Sequence, residues 1–563
     1  MKYKLLFLLF ICSFLSINAQ TFDWGKIIGG TGIETINSVT KNPTGIFIVG
    51  SFQGIVDFNS SSGTNNFSSK GGKDVFVLKT DFDGNYLWAI TFGGTGDDEA
   101  VSVIADNSGI LIAGNFTSTV DFNPGSGTNN STSNGGTDIF YVKLNNLGTY
   151  TYHKTIGGTA DDVAKKIVFD GVNIPYLAGS FRNTVDFNPD SPTNNLSTSG
   201  GVDGFVMKIN PSNGGLIWVK QFQSVGTNSY ITINDIGVDS QSNIFIGGNF
   251  FNSVDIDPSP SSLIMTTVNL SNGTAQNVFL IKLDSGGNYL SYTTLRPTTS
   301  CDLVSLKIDS NDNIISTGAF SGNIDFNPGS AVNQINANGT TRTFVWKLTN
   351  SFVFGFVGSF SGNAANWPYH LYLDSNDAIY VSGQFSGSAD FDINSPQNVL
   401  VSPGSYDAYF VKINSNTTFG FAKAVSGFDY NIGKAILVNG TSVYTFGDFK
   451  STVDLNPDSA VQNVTSNGNY DIFYQRFTDN TLSSNDYLES SFKIFPNPTK
   501  NYLNVTTNSN YFSYQIYSIQ GKVLQSGQSN TFNKIDVTKL NSGIYFLKAS
   551  IDNQQVIKKF IKY

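Results

Sequence analysis

Few residues in this 563-residue sequence are suited to side-chain chemistry: it has 2 histidines, 2 cysteines and 3 methionines, and only 13% of its positions are charged. Ordinary soluble domains carry about twice that charged fraction. The histidines, His153 and His370, stand in unrelated surroundings and are too few for a His-based triad or a His-rich metal site. Cys12 lies in the first twenty residues and Cys301 stands alone, so no internal disulfide can form and stability rests on packing and strand pairing. Cys301 reads as a small buried hydrophobe. The formal charge of −9 becomes more negative if Lys2 and Lys4 leave with a cleaved leader, which excludes general binding to a phosphate backbone, so no nucleic-acid partner is expected.

Long apolar runs are also missing. The one candidate, Leu5 to Leu15, is shorter than the ~20 residues needed to span a bilayer. It has a basic start and a small residue, Ala19, where cleavage would fall, so residues 1–20 read as a secretory signal peptide. Ile11 precedes Cys12 where lipid attachment prefers a small residue, which argues against an anchor there. The mature chain then has no transmembrane segment.

What the chain does have is repetition, which takes precedence over single elements. A Gly-x-aromatic step followed by Asp recurs seven times, at Gly50/Phe52/Asp57, Gly114/Phe116/Asp121, Gly179/Phe181/Asp186, Gly248/Phe250/Asp255, Gly318/Phe320/Asp325, Gly383/Phe385/Asp390 and Gly447/Phe449/Asp454. A basic residue follows each Asp on an alternating aromatic strand: Lys79, Lys143, Lys208, Lys282, Lys347, Lys412 and Arg476. The fourth repeat carries an insertion between Pro258 and Gln276, and the fifth has Arg342 where an acid is usual. Each repeat reads as four short strands with Gly/Asn/Asp turns. In repeat two these are Ala100 to Ala105, Ile110 to Phe122, Asp138 to Lys143 and Thr149 to Ile156.

Four-stranded units repeated radially make a propeller, whose closure protects strand edges. The expected fold is all-β: a seven-bladed β-propeller over residues 21–477, a linker at 478–491 and a small C-terminal β-sandwich at 492–563. The chain starts on a fourth-type strand, Phe22 to Ile28, and the seventh repeat ends after its third strand, so the N-terminal strand should complete the last blade.

With Phe92-Gly-Gly-Thr-Gly-Asp-Asp98, the Gly-x-Phe strand, Val-Asp-Phe-Asn-Pro and the aromatic-x-x-Lys strand, residues 22 to about 477 resemble the SBBP-type propeller repeats of Bacteroidetes surface proteins. Phe495-Pro-Asn-Pro498, Gln520-Gly-Lys522, Leu540-Asn-Ser-Gly-Ile-Tyr545 and the closing Lys558-Lys-Phe-Ile-Lys562 resemble the type A sorting domain of the type IX secretion system. That resemblance implies a passage through the periplasm to the outer cell surface or medium, with the secretion machinery as partner of the C-terminal domain.

The pattern assigns no catalytic, cofactor-binding or metal residue. The nearest constellation is a carboxylate pair at the base of each long loop: Asp57/Asp74, Asp121/Asp138, Asp186/Asp203, Asp390/Asp407 and Asp454/Asp471, with Asn59, Asn123, Asn188, Asp392 and Asn456 adding oxygens. Ca²⁺ takes six to eight such oxygens. Asx-turn capping explains the same recurrence without a metal. Trp88 and Trp218, near Gly-containing turns, read as packing between blades. Glu34, Asp97, Asp98, Glu99, Asp161 and Asp162 gather before first strands, on the loop-rich side where binding is expected. The function read from these features is a secreted or surface-displayed binding module for a glycan or protein. The alternative is a polysaccharide hydrolase using paired carboxylates, which the recurrence of those carboxylates in most repeats disfavours.

Overall fold

A computed structural model describes residues 20–563 except 62, 268, 271–272, 275, 395–397, 459, 481–491, 507–510, 520, 531–533 and 552–553. The expected signal peptide, but for Gln20, and most of the expected linker lie outside the described residues. Every regular element among the described residues is a strand. The chain divides into two compact units, one of Trp24–Val438 with Tyr444–Arg476 and one that holds the residues from Phe477 onward.

In the larger unit the repeats become runs of four antiparallel neighbours. The first sheet takes Glu34–Asn42, Gly45–Phe52, Asp74–Thr80 and Tyr86–Phe92 in chain order. The pattern recurs in sheets whose first strands are Glu99–Asp106, Val163–Phe169, the second half of Leu216–Val238, Ser300–Ile308, Asn366–Leu373 and Asn431–Asn439. Leu216–Val238 is continuous, so it ends the third sheet and begins the fourth. Beside Asp471–Asp479, the fourth place of the seventh sheet is filled by Gln20–Gly30.

The strand expected from Ile110 to Phe122 is split. Gly109–Phe116 ends at a turn where Ser118 takes a φ of 61°, and Thr119–Asp121 then pairs with Asn130–Thr132 inside the long loop. The loops of the other repeats carry the same appendage, as in Ile55–Asp57 with Asn66–Ser68. It also stitches neighbouring repeats: Gly29 pairs with Asp57, Gln223 with Asp255 and Ser426 with Asp454.

The glycine of the Gly-x-aromatic step has a direct cause. The first strands of the first six sheets carry a bulge, as between Ile36 and Ser38 or Ala100 and Ser102, which presses a carbonyl against the second strand. A Cβ on Gly50 would lie 1.8 Å from the Thr35 oxygen, and one on Gly114 would lie 2.2 Å from that of Glu99. Behind the glycine sits the third-strand aromatic, Phe76 or Phe140. The aromatic residues of Gly-x-Phe, Val-Asp-Phe and the third strand close on one another, with centroids 5.3 Å apart for Phe116 and Phe122 and 5.1 Å for Phe122 and Phe140. Such pairs add about 0.5–1.5 kcal/mol beyond their buried area.

The recurrent basic residue fastens sheet to sheet at Lys79, Lys208, Lys282 and Arg476, whereas Lys143 and Lys347 pair with Asp106 and Asp309 of their own sheets. Lys79 Nζ donates to Thr44 Oγ1 at 2.8 Å and to the Asn146 carbonyl of the second sheet's turn at 2.9 Å, and lies over the Phe47 ring. Arg476 does the same from the seventh sheet to the first, donating to the Phe82 carbonyl at 3.1 Å and Asp83 Oδ1 at 2.7 Å. Trp88 Nε1 donates to the Asn146 carbonyl at 3.2 Å. One buried cluster joins Ile36, Ile48 and Phe52 of the first sheet to Leu437, Tyr444, Phe446 and Tyr474 of the seventh.

The C-terminal residues form two sheets of three and four strands around one core of Phe492, Leu503, Phe512, Ile516, Leu547 and Phe560. The Pro-Asn-Pro segment is tied to the last strand: Asn497 Oδ1 accepts from Ile561 N at 2.9 Å, and its Nδ2 donates to the Lys559 carbonyl at 3.0 Å. Gly521 turns the hairpin with a φ of 81°.

Gly114→Val forces a side chain into the first-strand carbonyl and the Phe140 ring. It should cost about 3 kcal/mol, read as a lower urea midpoint, whereas Ser118→Val in the neighbouring turn should cost less.

Candidate functional site

Carboxylates at the loop necks bond the backbone through one oxygen, while Asp74 Oδ1, Asp138 Oδ1, Asp390 Oδ2, Asp407 Oδ2 and Asp471 Oδ1 are buried without a hydrogen-bond partner among the described residues. Asp57 Oδ1 accepts from the N–H of Asn59 and of Asn65, both at 2.9 Å. The equivalent pair of bonds occurs at Asp121, Asp186, Asp255, Asp325, Asp390 and Asp454. Asn59 and Asn123, expected as extra metal oxygens, accept from Ser61 N and Gly125 N instead. The second member of each pair is buried; Asp74 accepts from Lys70 N at 3.1 Å and Asp138 from Asn134 N at 2.8 Å at the far end of the loop, whereas Asp203 accepts from Ser224 N at 2.8 Å and Asp407 from Gly427 N at 3.0 Å. The backbone bonds are those of Asx-turn capping. Among the described residues no group of three or more His, Cys, Asp and Glu is placed to hold a metal.

In some repeats a buried neck acid lies close to an acid that precedes the next first strand. Asp98 accepts from Gly94 N at 2.7 Å and Thr117 N at 3.1 Å, and Asp162 from Gly158 N at 2.7 Å and Arg182 N at 3.0 Å. Burial, reinforced by repulsion from Asp74, lifts Asp98 to about 6. Burial, reinforced by Asp162 and Asp161, lifts Asp138 to about 6. At the corresponding place of the first sheet, Glu34 accepts from Gly30 N at 2.9 Å and is lifted to about 8 by burial, then by Asp471 and Asp448.

The histidines and cysteine are placed apart from these acids. His153 stacks on Phe122 at 4.7 Å, with its ring nitrogens bonded to Ser131 and Tyr150 hydroxyls at 2.9 and 2.8 Å. Cys301 is buried, which pushes its thiol well above its ordinary value. Arg342 opens its third strand opposite Phe320.

Two features break the repeat. The first is a cavity of about 450 Å³ lined by the first strands of all seven sheets, including Ser38, Val103, Lys166, Leu306, His370 and Ile436. At the first-strand bulge the sheets present Ser38, Ser102, Lys166, Asp235, Ser305 and His370 in turn. Several of these side chains accept an N–H from the next sheet: Ser38 from Val103, Ser102 from Ile167, Asp235 from Leu306 and His370 from Ile436. Sequence reading missed this column because the bulge shifts it off simple alternation. Its signal is one repeat position holding unlike residues.

The second feature is aromatic. Tyr406 lies 5.7 Å from Trp367 and stacks on Tyr430 at 5.2 Å, with Phe428, Tyr430 and Tyr369 exposed nearby. Lys434 sits over Tyr369, and Asp429 accepts from Ser451 Oγ and pairs with Lys450 at 3.7 Å. The place of Tyr406, just before the third strand, holds Lys73, Thr137, Val202, Gln276 and Thr341 in the first five repeats.

Comparison with known proteins identifies the C-terminal part, whose Pro-Asn-Pro segment is bonded to the closing strand. Residues 493–563 match the secretion system C-terminal sorting domain family. The sorting domain is that of type IX secretion and indicates an exported, extracellular protein. In addition, 83% of the chain aligns at 24% identity with the regulatory protein FlaEY of Caulobacter vibrioides, and 70% at 24% identity with an uncharacterized WD repeat-containing protein of Acanthamoeba polyphaga mimivirus. The chain spans 49% and 27% of these relatives. Two solved extracellular domains from B. thetaiotaomicron, of a one component system and of a hybrid two component system, align over 94% and 95% of the chain and 86% and 100% of their own. At 10% identity and TM-scores of 0.16 and 0.14 they carry no argument about this fold.

Glu34 generates a pH test. An acid held above its unfolded value stabilises the fold below that unfolded value, and the contribution is lost as pH rises through the folded one. Glu34→Gln should therefore match the parent near pH 5 and exceed its melting temperature at pH 8 to 9; equal melting at both ends would contradict the assignment.

Proposed function

We propose that the mature chain is an exported binding protein: residues 21–477 form a seven-bladed β-propeller, residues 492–563 form a β-sandwich address read by the type IX machinery, and the ligand is an extracellular glycan laid on the aromatic patch. The observation that carries the ligand reading is the asymmetry of that patch. The sheets are near copies, yet Trp367, Tyr369, Tyr406, Phe428 and Tyr430 gather at the sixth and seventh, a larger group than the Tyr230–Phe251 stack of the fourth. Aromatic faces flanked by Asp429, Lys434 and Lys450 suit a sugar, whose C–H face is apolar and whose rim is hydroxylated.

The propeller reading draws support from the cyclic fastening of sheets, from Gln20–Gly30 beside Asp471–Asp479, and from the WD repeats named in one relative, since such repeats build propellers. The hydrolase reading loses support because Asp74 and Asp98 are each 1% exposed and bonded to backbone N–H groups. Glycosidase carboxylates must reach the scissile bond.

Two experiments test the proposal. Deleting residues 21–30 should lower the melting temperature markedly; an unchanged value would rule out closure by the N-terminal strand. On a glycan array the mature chain should select a glycan, and Trp367→Ala or Tyr430→Ala should weaken that binding about tenfold, the size expected for one lost stacking contact of about 1–3 kcal/mol. Binding that survives both substitutions would place the ligand elsewhere.

A further inference from the structure

The cavity shared by the seven first strands is unevenly charged. Asp235 is buried and has five partners: Ser305 Oγ at 2.6 Å, Ile236 N at 2.8 Å, Leu306 N at 3.0 Å, Lys307 Nζ at 3.4 Å and, as an ion pair, Lys166 Nζ at 3.8 Å. One carboxylate thus serves two ammonium groups, and part of its bonding capacity goes to two backbone N–H groups and a hydroxyl. Lys307 donates as well to the Leu306 carbonyl at 2.9 Å, which carries no formal charge. The trio keeps one excess positive charge inside a protein whose formal charge is −9. Burial first, and Lys166 beside it, push Lys307 down to about 8 despite Asp235.

His370 adds a donor. Its Nδ1 accepts from Ile436 N at 3.4 Å, which fixes the ring proton on Nε2, and among the described residues no bond to Nε2 is found. Burial, then Lys307 and Lys166, hold the ring well below its ordinary value, so it is a neutral N–H donor at physiological pH. Lys166, Lys307 and His370 line the same cavity, which also includes Lys41 and Tyr372. Two ammonium groups and an imidazole N–H against a single saturated carboxylate are short of acceptors, and charge-assisted bonds to an oxyanion would supply them.

We infer that this cavity binds a small oxyanion of the phosphate or sulfate type, free or carried on a small molecule, between Lys166, Lys307 and His370. The site is separate from the aromatic patch and does not depend on the glycan reading. A volume of about 450 Å³ leaves room for a monosaccharide-sized group attached to the anion.

The mature chain carries only His153 and His370, so histidine-selective isotope labelling gives two ring signals to follow by NMR. Titration with millimolar inorganic phosphate, at constant ionic strength set by chloride, should shift the His370 signal saturably and raise its titration midpoint while His153 stays fixed. Lys307→Gln should abolish the response. A second arm with a monosaccharide phosphate distinguishes sources: tighter saturation than inorganic phosphate marks a carried group, equal saturation a free anion. An unmoved His370 in both arms, or the same movement in Lys307→Gln, overturns the inference. Should Lys307→Gln not fold, Lys166→Gln replaces it, and the parent must also show phosphate-dependent melting beyond the chloride control.

Discussion

The contact on which the larger unit depends is a carbonyl pressed against a glycine. The first-strand bulge drives one backbone oxygen toward the second strand, and only a residue without a Cβ tolerates it there, as at Gly50 and Gly114. The bulge also turns the next side chain sideways. At that position Ser38, Ser102, Asp235 and His370 reach across to an N–H of the neighbouring sheet. One steric event thus sets the recurrent glycine, the lateral bonds and the lining of the shared cavity.

Beyond that contact, polar groups mostly serve backbone order. The neck Asp residues answer N–H groups that the loop would otherwise leave unpaired, at a net value of about 1 kcal/mol or more for each charge-assisted bond. Lys79 and Arg476 tie one sheet's third strand to the next sheet's turn. Repetition of these residues reflects repetition of the backbone problem. Departures from it, the aromatic patch and the Lys166/Asp235/Lys307/His370 group, therefore carry the functional proposals.

Much of this was legible in the sequence. Constant spacing marked the four strands, Gly-x-Phe and Val-Asp-Phe marked the aromatic core, and the neck Asp residues were readable as caps because Asp-x-Asn is an Asx-turn pattern. The appended strands such as Thr119–Asp121 were not separable, because alternation continues through the left-handed Ser118 that divides them. The acids that sense each other are Asp98 and Asp74, from consecutive repeats. Reading within one repeat pairs Asp57 with Asp74, because lateral neighbours are invisible without the packing of sheets. The same blindness hid the cavity column, whose members lie about 65 residues apart in sequence and meet only through tertiary structure.

The position of Gln20–Gly30 beside Asp471–Asp479 has a bearing on how the chain reaches its native state. Gln20 Nε2 bonds Asp479 Oδ1 across 459 residues, so this strand must wait for a partner synthesised far later in the chain. Contacts this non-local slow folding, and until they form, both strands keep an open hydrogen-bonding edge. Delivery across an envelope lengthens that interval, which makes the two exposed edges the place where premature pairing with another chain would do the most damage.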